Sequence, residues 1–345
     1  MREAICPATN RARYVTQPSD FLPGGHSGFE ALRQTAKQAA RKLVALLIAC
    51  VVLAACATAQ VNTPILQFRD GVTKIATSAP GALALANEAQ RRMMLNRYYV
   101  EKLGVAGSAA PVNPYAADIL NPDALRVRTL ALASLKSYAD QLAALTSSDA
   151  TAELDASAAK LGTALQQTNW SDFGIAGDPI SPAVLGAGTT AIHAFGQFLI
   201  DRKVRSELPQ ILADGDPHVQ GVVAALDSDF GYVAGVVDRN MRQSAQAWDL
   251  MLTKVIPMLS PDEARAEIGK FVQGVQDRSD FLVTIAAARD AVKAMGRAHS
   301  QLVQAAARKQ DHLSLEAMSQ LIEEAQRLQD FYNTTRGNFA PKPAK

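Results

Sequence analysis

The chain has 345 residues, with 35 basic and 33 acidic side chains and three cysteines. Residues 1–56 carry seven of the basic and three of the acidic residues, which leaves 28 basic and 30 acidic residues, a net charge of −2, for residues 57–345. This near-neutral balance excludes nucleic acid as the expected partner, because nucleic-acid binding requires a basic surface. The remainder is long enough for one large core and contains no cysteine for a disulfide.

An uncharged, apolar run follows a basic segment near the N-terminus. The run extends from Leu43 to Ala59, with Arg41 and Lys42 directly before it. Its 17 residues fall short of the roughly 20 that a membrane-spanning helix needs. A basic segment, an apolar run and small residues in this order predict a secretory signal peptide. Because positive charge stays cytoplasmic, the chain after this run is expected beyond the inner membrane.

The end of the apolar run resembles the lipobox of bacterial lipoproteins. The matching segment is Leu53-Ala54-Ala55-Cys56, a leucine and two small residues before a cysteine. The resemblance implies that residues 32–55 are a cleaved signal peptide and that Cys56 carries diacylglycerol. Residues 56–62 would then be a lipidated linker, which ties the chain to a membrane. The Ala57 that follows implies export to the outer rather than the inner membrane, facing the periplasm.

Two alternatives to lipidation at Cys56 remain open. Cys50 ends a second segment of this type, Leu47-Ile48-Ala49-Cys50, although lipidation there leaves a shorter apolar core in the signal. The other alternative is an uncleaved anchor helix with incidental cysteines. Residues 1–31 make the segment before the apolar run longer than that of an ordinary signal peptide, and part of them is rich in Pro and Gly. We expect either that translation begins later, at Leu32, or that residues 1–31 are a disordered cytoplasmic extension.

Helical periodicity then dominates the first half of the remaining chain. Thr63-Pro64 predicts a helix start, and an apolar stripe continues to about Leu103, with a kink expected at Pro80. Asn121-Pro122-Asp123 predicts the cap of a second helix that ends near Ser147, and a shorter helix is expected over 149–168. The first stripe consists of Ile65, Phe68, Val72, Ile75, Ala79, Ala82, Ala86, Ala89, Met93 and Val100.

The second half repeats this pattern in longer helices. Asp216-Pro217 predicts the cap of a long helix that Pro257 ends, and Ser260-Pro261-Asp262-Glu263 predicts the start of the next. A final helix is expected to carry apolar residues from Leu315 to Tyr332. The stripe expected to face the core in the penultimate helix is Ile268, Val272, Val275, Leu282, Ile285, Val292, Met295 and Leu302.

These elements predict an all-α fold, an elongated antiparallel bundle of about six to seven long helices. Short connections between long helices favour antiparallel neighbours, and no run of alternating β-branched residues is long enough for a strand. We expect a single bundle domain over residues 63–336 and a disordered tail over 337–345.

Two histidine-containing positions are the candidates for polar chemistry. Asp214, Asp216 and His218 lie within five residues and are candidate ligands for a cation. The competing interpretation, which we favour, is a helix stop at Gly215 followed by an Asp cap and a Pro at the first helical position. His299 lies on an apolar stripe and is expected to be a hydrogen-bonded, buried or half-buried histidine.

Residues 180–200 form an uncharged segment between Asp178 and Asp201. We expect it to be a helix buried on all sides; insertion into a membrane is the alternative. The alternative resembles, in layout only, the pore-forming helical toxins of the cytolysin A type. The residues that carry either role are Gly186, Gly188, Ile192, Phe195 and Phe198.

The sequence therefore predicts a lipid-anchored cell-envelope protein that acts as a helical scaffold or binds a protein partner. It contains no HExxH, GxSxG or P-loop motif, so no catalysis and no cofactor are expected. The alternatives are a membrane-inserting or pore-forming protein that uses residues 180–200, and an enzyme whose site is assembled from several helices.

Overall fold

The computed structural model describes residues 63–95, 98–99, 101–102, 118–146, 152–167, 182–201, 208–308 and 312–339. Seven long helices occur among them: α1 over 63–95, α2 Pro122–Thr146, α3 Ala152–Gln167, α4 Pro182–Asp201, α5 Leu208–Val255, α6 Pro261–Arg308 and α7 His312–Phe339. A 3₁₀ turn, Ile256–Met258, joins α5 to α6. The described residues include no strand. The all-α helical bundle predicted from the sequence is thus confirmed.

Helices α5 and α6 run antiparallel, and so do α6 and α7. Between α5 and α6, Asp227 pairs with Arg289 and Asp238 pairs with Arg278, so that residue numbers rise on one helix as they fall on the other. The first and last helices also pack against each other. Lys74 of α1 donates to Gln326 of α7, and Gly81 of α1 lies against Tyr332 of α7. Because both numbers rise together, α1 and α7 run parallel.

Local capping explains where several helices begin. The Asn121 side chain accepts a hydrogen bond of 2.7 Å from the Ala124 amide and caps α2, as predicted. At the start of α6, Glu263 accepts from both the amide and the hydroxyl of Ser260, at 2.9 and 2.7 Å, which completes a capping box. Pro257 lies in the 3₁₀ turn directly after α5, so the predicted end of that helix is also confirmed.

The predicted helix start at Asp216-Pro217 is wrong. Helix α5 begins at Leu208 and continues through Pro217 to Val255, a run of 48 residues. Tertiary packing outweighs the hydrogen bond that Pro217 removes from the helix. Gly215 is buried where α5 passes close to α2, and a Cβ there would lie 2.5 Å from the Tyr138 hydroxyl. This glycine therefore serves a close approach of two helices and is not a stop signal.

Helix α7 also continues beyond its predicted limit. It extends to Phe339, three residues into the segment 337–345 that the sequence predicted as a disordered tail. The Arg92 guanidinium lies 4.6 Å from the centre of the Phe339 ring and donates to the carbonyl of Phe339 at 2.7 Å. Arg92 therefore satisfies a carbonyl at the helix end that would otherwise lack an intrahelical donor. Residues 340–345 lie outside the described residues.

One continuous core joins the helices, and all seven contribute to it. Many of its members are alanines, such as Ala82 and Ala86 of α1 and Ala288 and Ala291 of α6, which lets the helices pack closely. This core belongs to a compact unit that contains all of the described residues. A smaller cluster at one end of the α5–α6 hairpin consists of Trp248, Met251 and Leu252, packed against Val255, Ile256 and Phe271.

Candidate binding surfaces of the α5–α6 hairpin

The three residues proposed as cation ligands do not form a site. Asp214 accepts a hydrogen bond from Gln210. Asp216 is turned toward His299 of α6, and the His218 ring stacks on Phe198 at 5.1 Å. Among the described residues no group of three or more His, Cys, Asp or Glu side chains could hold a metal ion. Both lipidation candidates, Cys56 and Cys50, lie outside the described residues.

His299 is fully buried, and it joins three helices. Its Nδ1 lies 2.9 Å from Asp216 of α5, and its Nε2 lies 2.9 Å from the Tyr138 hydroxyl of α2. Ser300 and Gln220 also donate to the Asp216 carboxylate. Both His299 nitrogens therefore have partners, as the expectation of a hydrogen-bonded core histidine requires. The sequence did not indicate the pairing with Asp216, because 83 residues separate the two along the chain.

These hydrogen bonds make the stability of the bundle depend on pH. The bond from His299, above all, lowers the pKa of Asp216, while burial opposes this shift. Because the carboxyl group has a lower pKa in the folded chain than in the unfolded chain, its ionised form stabilises the fold at pH values above the unfolded-state pKa of about 3.9. This stabilisation is lost as the pH falls through the folded-state pKa. We therefore expect the free energy of unfolding, measured by urea titration, to fall below about pH 5.

The Asp216→Asn variant should lose this part of the acid dependence. The exposed Asp214, replaced by asparagine, is the matched control and should keep the wild-type pH profile. Equal profiles for the two variants would contradict the role assigned to Asp216.

The segment 180–200 contains most of α4, which packs between α3 and α5. Ile192 and Phe195 are buried, Gly188 and Phe198 are partly buried, and Thr190 and Gln197 are exposed. The expectation that this helix is buried on all sides is therefore wrong for residues 188–199, where one face meets the bundle and the other meets solvent. Gly186 lies in α4 as well. No helix in the described part of the chain combines the length and apolarity needed to cross a membrane.

Helix α6 departs from its predicted burial in its first third. The predicted core stripe is buried at Ile285, Val292, Met295 and Leu302. Its first three members, however, face solvent: Ile268 is 46%, Val272 58% and Val275 43% exposed. We call these three residues the outer α6 stripe. Spacings of four and three place them on one side of the helix.

The other side of the same hairpin contains a groove. It has a volume of about 510 Å³ and lies between the end of α1 and the α5–α6 hairpin. We call it the hairpin groove, and its walls include Met93 and Leu95 of α1, Met241 and Trp248 of α5, and Phe271 and Gly274 of α6. Asp277, which is nine residues or two and a half turns from Ile268, also lines it. Ile268 and Val272 of the outer α6 stripe therefore lie on the side of α6 away from the groove, whereas Val275 belongs to the stripe and also lines the groove.

Comparison with known proteins did not identify a relative of the chain. No protein-family model, curated protein or solved structure matches the chain.

Proposed function

We propose that the chain is a lipid-anchored protein of the bacterial cell envelope that binds a protein partner through the outer α6 stripe. Two features support this. The lipobox-like segment ends at Cys56, and the helical domain begins seven residues later, at residue 63. The exposed stripe is the observation that carries the binding function, since contiguous exposed apolar surface on a protein commonly marks an interaction site.

The stripe has the anatomy of a small interface. Arg265 precedes Ile268 by three residues on α6, and its side chain and that of its partner Asp262 are 82% and 94% exposed, so solvated charge lies at one end of the stripe. An apolar centre with a polar rim is the usual arrangement at protein–protein contacts. Other large exposed apolar side chains, such as Leu66 on α1 and Leu315 on α7, stand on other helices. Single exposures of that kind are ordinary.

The position of the stripe fits an anchored protein. Helix α1 spans 33 residues, or about 50 Å at 1.5 Å per residue. Arg92, near its far end, pairs with Asp277 of α6, which is close in sequence to the stripe. The surface that we propose for docking therefore lies near the end of α1 that is distant from the lipidation site along the chain, where a soluble or membrane-bound envelope partner could reach it.

Site-specific cross-linking in intact envelopes tests this proposal. A photoreactive benzoylphenylalanine at Val272 should yield a discrete cross-linked species, whereas the same residue at Leu315 should not. An Ile268→Asp substitution should abolish the species without unfolding the bundle, because Ile268 is half exposed. Circular dichroism checks the fold. Identical cross-linking from positions 272 and 315, or a species that survives Ile268→Asp, would show that the stripe is not the docking surface.

A further inference from the structure

The hairpin groove, distinct from the proposed docking stripe, has the size and lining of a small-molecule site. Ligand sites usually measure roughly 300–1,000 Å³ and combine mainly apolar walls with a few polar groups. The groove falls in this range, at about 510 Å³. Two methionines line it, and their flexible side chains adapt to ligands of irregular shape. Small residues line much of the rest, namely Ala89, Ala245, Ala266, Gly269 and Gly274.

Two glycines on the α6 wall, Gly269 and Gly274, leave space in the groove. A Cβ built on Gly274, or on Gly269, meets no other atom within 4 Å. This differs from the glycines in the bundle core, where Gly81 lies against the Tyr332 ring and has no room for a side chain. Glycine within a helix costs about 1 kcal/mol relative to alanine, so packing between the described residues does not account for these two glycines.

A buried polar group on the α5 wall has no partner among the described residues. Trp248 is only 6% exposed, and its buried indole nitrogen makes no hydrogen bond. The Ser244 side chain is one turn away on the same face of α5 and also lines the groove. A buried donor without a partner costs about 1–3 kcal/mol. A ligand that brings an acceptor atom to this wall would recover that cost.

The charges that line the groove favour an anion. Arg92 is neutralised by Asp277 at 2.8 Å and also donates to the carbonyls that end α7. Lys270 is the remaining cation of the lining, and its ion pair with Glu267 is largely solvated on the lysine side, where 59% of the side chain is exposed. The Glu267 side chain is only 13% exposed, so the Lys270 ammonium would keep this partner and accept a charged ligand group as a second one.

We infer that the hairpin groove binds an amphiphilic anion, a molecule with an extended apolar chain and a carboxylate head. The chain would lie against Met93, Met241 and Phe271. The carboxylate would accept hydrogen bonds from Trp248 and Ser244 and balance the charge of Lys270. The groove and the outer α6 stripe share only Val275, and none of the groups proposed to contact the ligand belongs to the stripe, so this inference can fail without the proposed partner binding failing.

Fluorescence of Trp248 tests the inference directly. The chain has two tryptophans, and a Trp170→Phe substitution leaves Trp248 as the single reporter. Residues 58–345 are used, because they form a compact unit with their own continuous core. Dodecanoate, kept below its micelle concentration, should change the Trp248 emission in a saturable manner. Dodecyltrimethylammonium, which has the same chain and the opposite charge, should bind at least about tenfold more weakly.

Glycine replacements identify the site. Gly274→Leu and, separately, Gly269→Leu should each weaken dodecanoate binding by at least about tenfold, because they fill the groove. Gly235→Leu is the matched control: its Cβ also meets no atom within 4 Å, but it lies outside the groove, and its affinity should stay at the parent value. Thermal unfolding of all three variants verifies that they fold.

Three results would overturn the inference. One is a Trp248 emission that dodecanoate leaves unchanged. Another is equal affinity in folded Gly274→Leu, Gly269→Leu and Gly235→Leu proteins. The third is equal binding of the anionic and cationic probes, which would indicate apolar adsorption without recognition of the head group.

Discussion

Replacing Asp229 by alanine should destabilise the bundle by about 3–5 kcal/mol, because it leaves the Arg128 guanidinium buried without a counter-charge. Arg128 is completely buried on α2, and the Asp229 side chain on α5 is only 3% exposed. The two are joined by a bidentate pair, with Nε donating at 2.7 Å and Nη2 at 2.5 Å. Burial raises the pKa of the Asp229 carboxyl, and the adjacent guanidinium opposes that shift. Urea denaturation with linear extrapolation measures the loss.

Two further variants separate the cost of an orphaned charge from the value of the pair. Replacing both residues together, as Arg128→Met with Asp229→Leu, should restore most of the lost stability, because neither charge then remains to be desolvated. The matched surface pair is Arg126 with Asp123 on the same helix, where both side chains are about 60% exposed. An Asp123→Ala variant should change the free energy of unfolding by less than about 1 kcal/mol. An Asp229→Ala variant as mild as this control would contradict the burial of the pair.

The sequence contains an indication that Arg128 and Asp229 are buried charges, which the apolar periodicity alone does not reveal. Arg128 lies on the stripe between Leu125 and Leu132, and Asp229 lies beside Leu226 and Phe230 on another stripe. A single charge on an otherwise apolar face predicts a buried partner of opposite charge. The sequence does not specify which two helices meet, however, since 101 residues separate the two partners. Helix existence and the polarity of each face are therefore predictable, whereas the pairing of faces is not.

The error at Asp216 has a different physical origin. The residues Gly215, Asp216 and Pro217 each favour a helix boundary when local preferences alone are considered. The folded chain uses the same residues for tertiary contacts, with Gly215 against Tyr138 and Asp216 against His299. Local preference amounts to a few kcal/mol at most, and the packing of buried residues such as Ile211 and Leu212 before this point outweighs it.

The candidate surfaces could be predicted only in part. Periodicity correctly assigned Ile268, Val272 and Val275 to one face of a helix, but it does not reveal whether another helix covers that face. The hairpin groove draws its walls from α1, α5 and α6, and Trp248 becomes a candidate donor only where these three helices meet. A single sequence contains no information on that juxtaposition. The unexplained glycines at 269 and 274 are the nearest local signal, because a glycine within a helix requires a reason.

Replacing Cys56 by serine should abolish both lipid attachment and signal cleavage, which is the largest change that we expect from any single substitution in the anchor region. The lipobox resemblance implies that acylation of the Cys56 thiol precedes removal of the preceding peptide. A serine hydroxyl is not equivalent to that thiol, so the variant should accumulate as an unprocessed precursor. Intact-mass measurement on detergent-extracted protein should find, for the wild type, a chain that begins at Cys56 and carries the added lipid mass.

The Cys50→Ser variant is the control for the alternative lipidation site. If Cys56 is the anchor, this variant should be cleaved, acylated and retained in the membrane like the wild type. Processing that fails in Cys50→Ser and proceeds in Cys56→Ser would assign the anchor to Cys50. A wild-type chain that keeps residues 32–55 and an unmodified Cys56 would instead mean that the apolar run is an uncleaved anchor. The outer α6 stripe and the hairpin groove would retain their tests in either case, because the residues that form both lie on α1, α5 and α6.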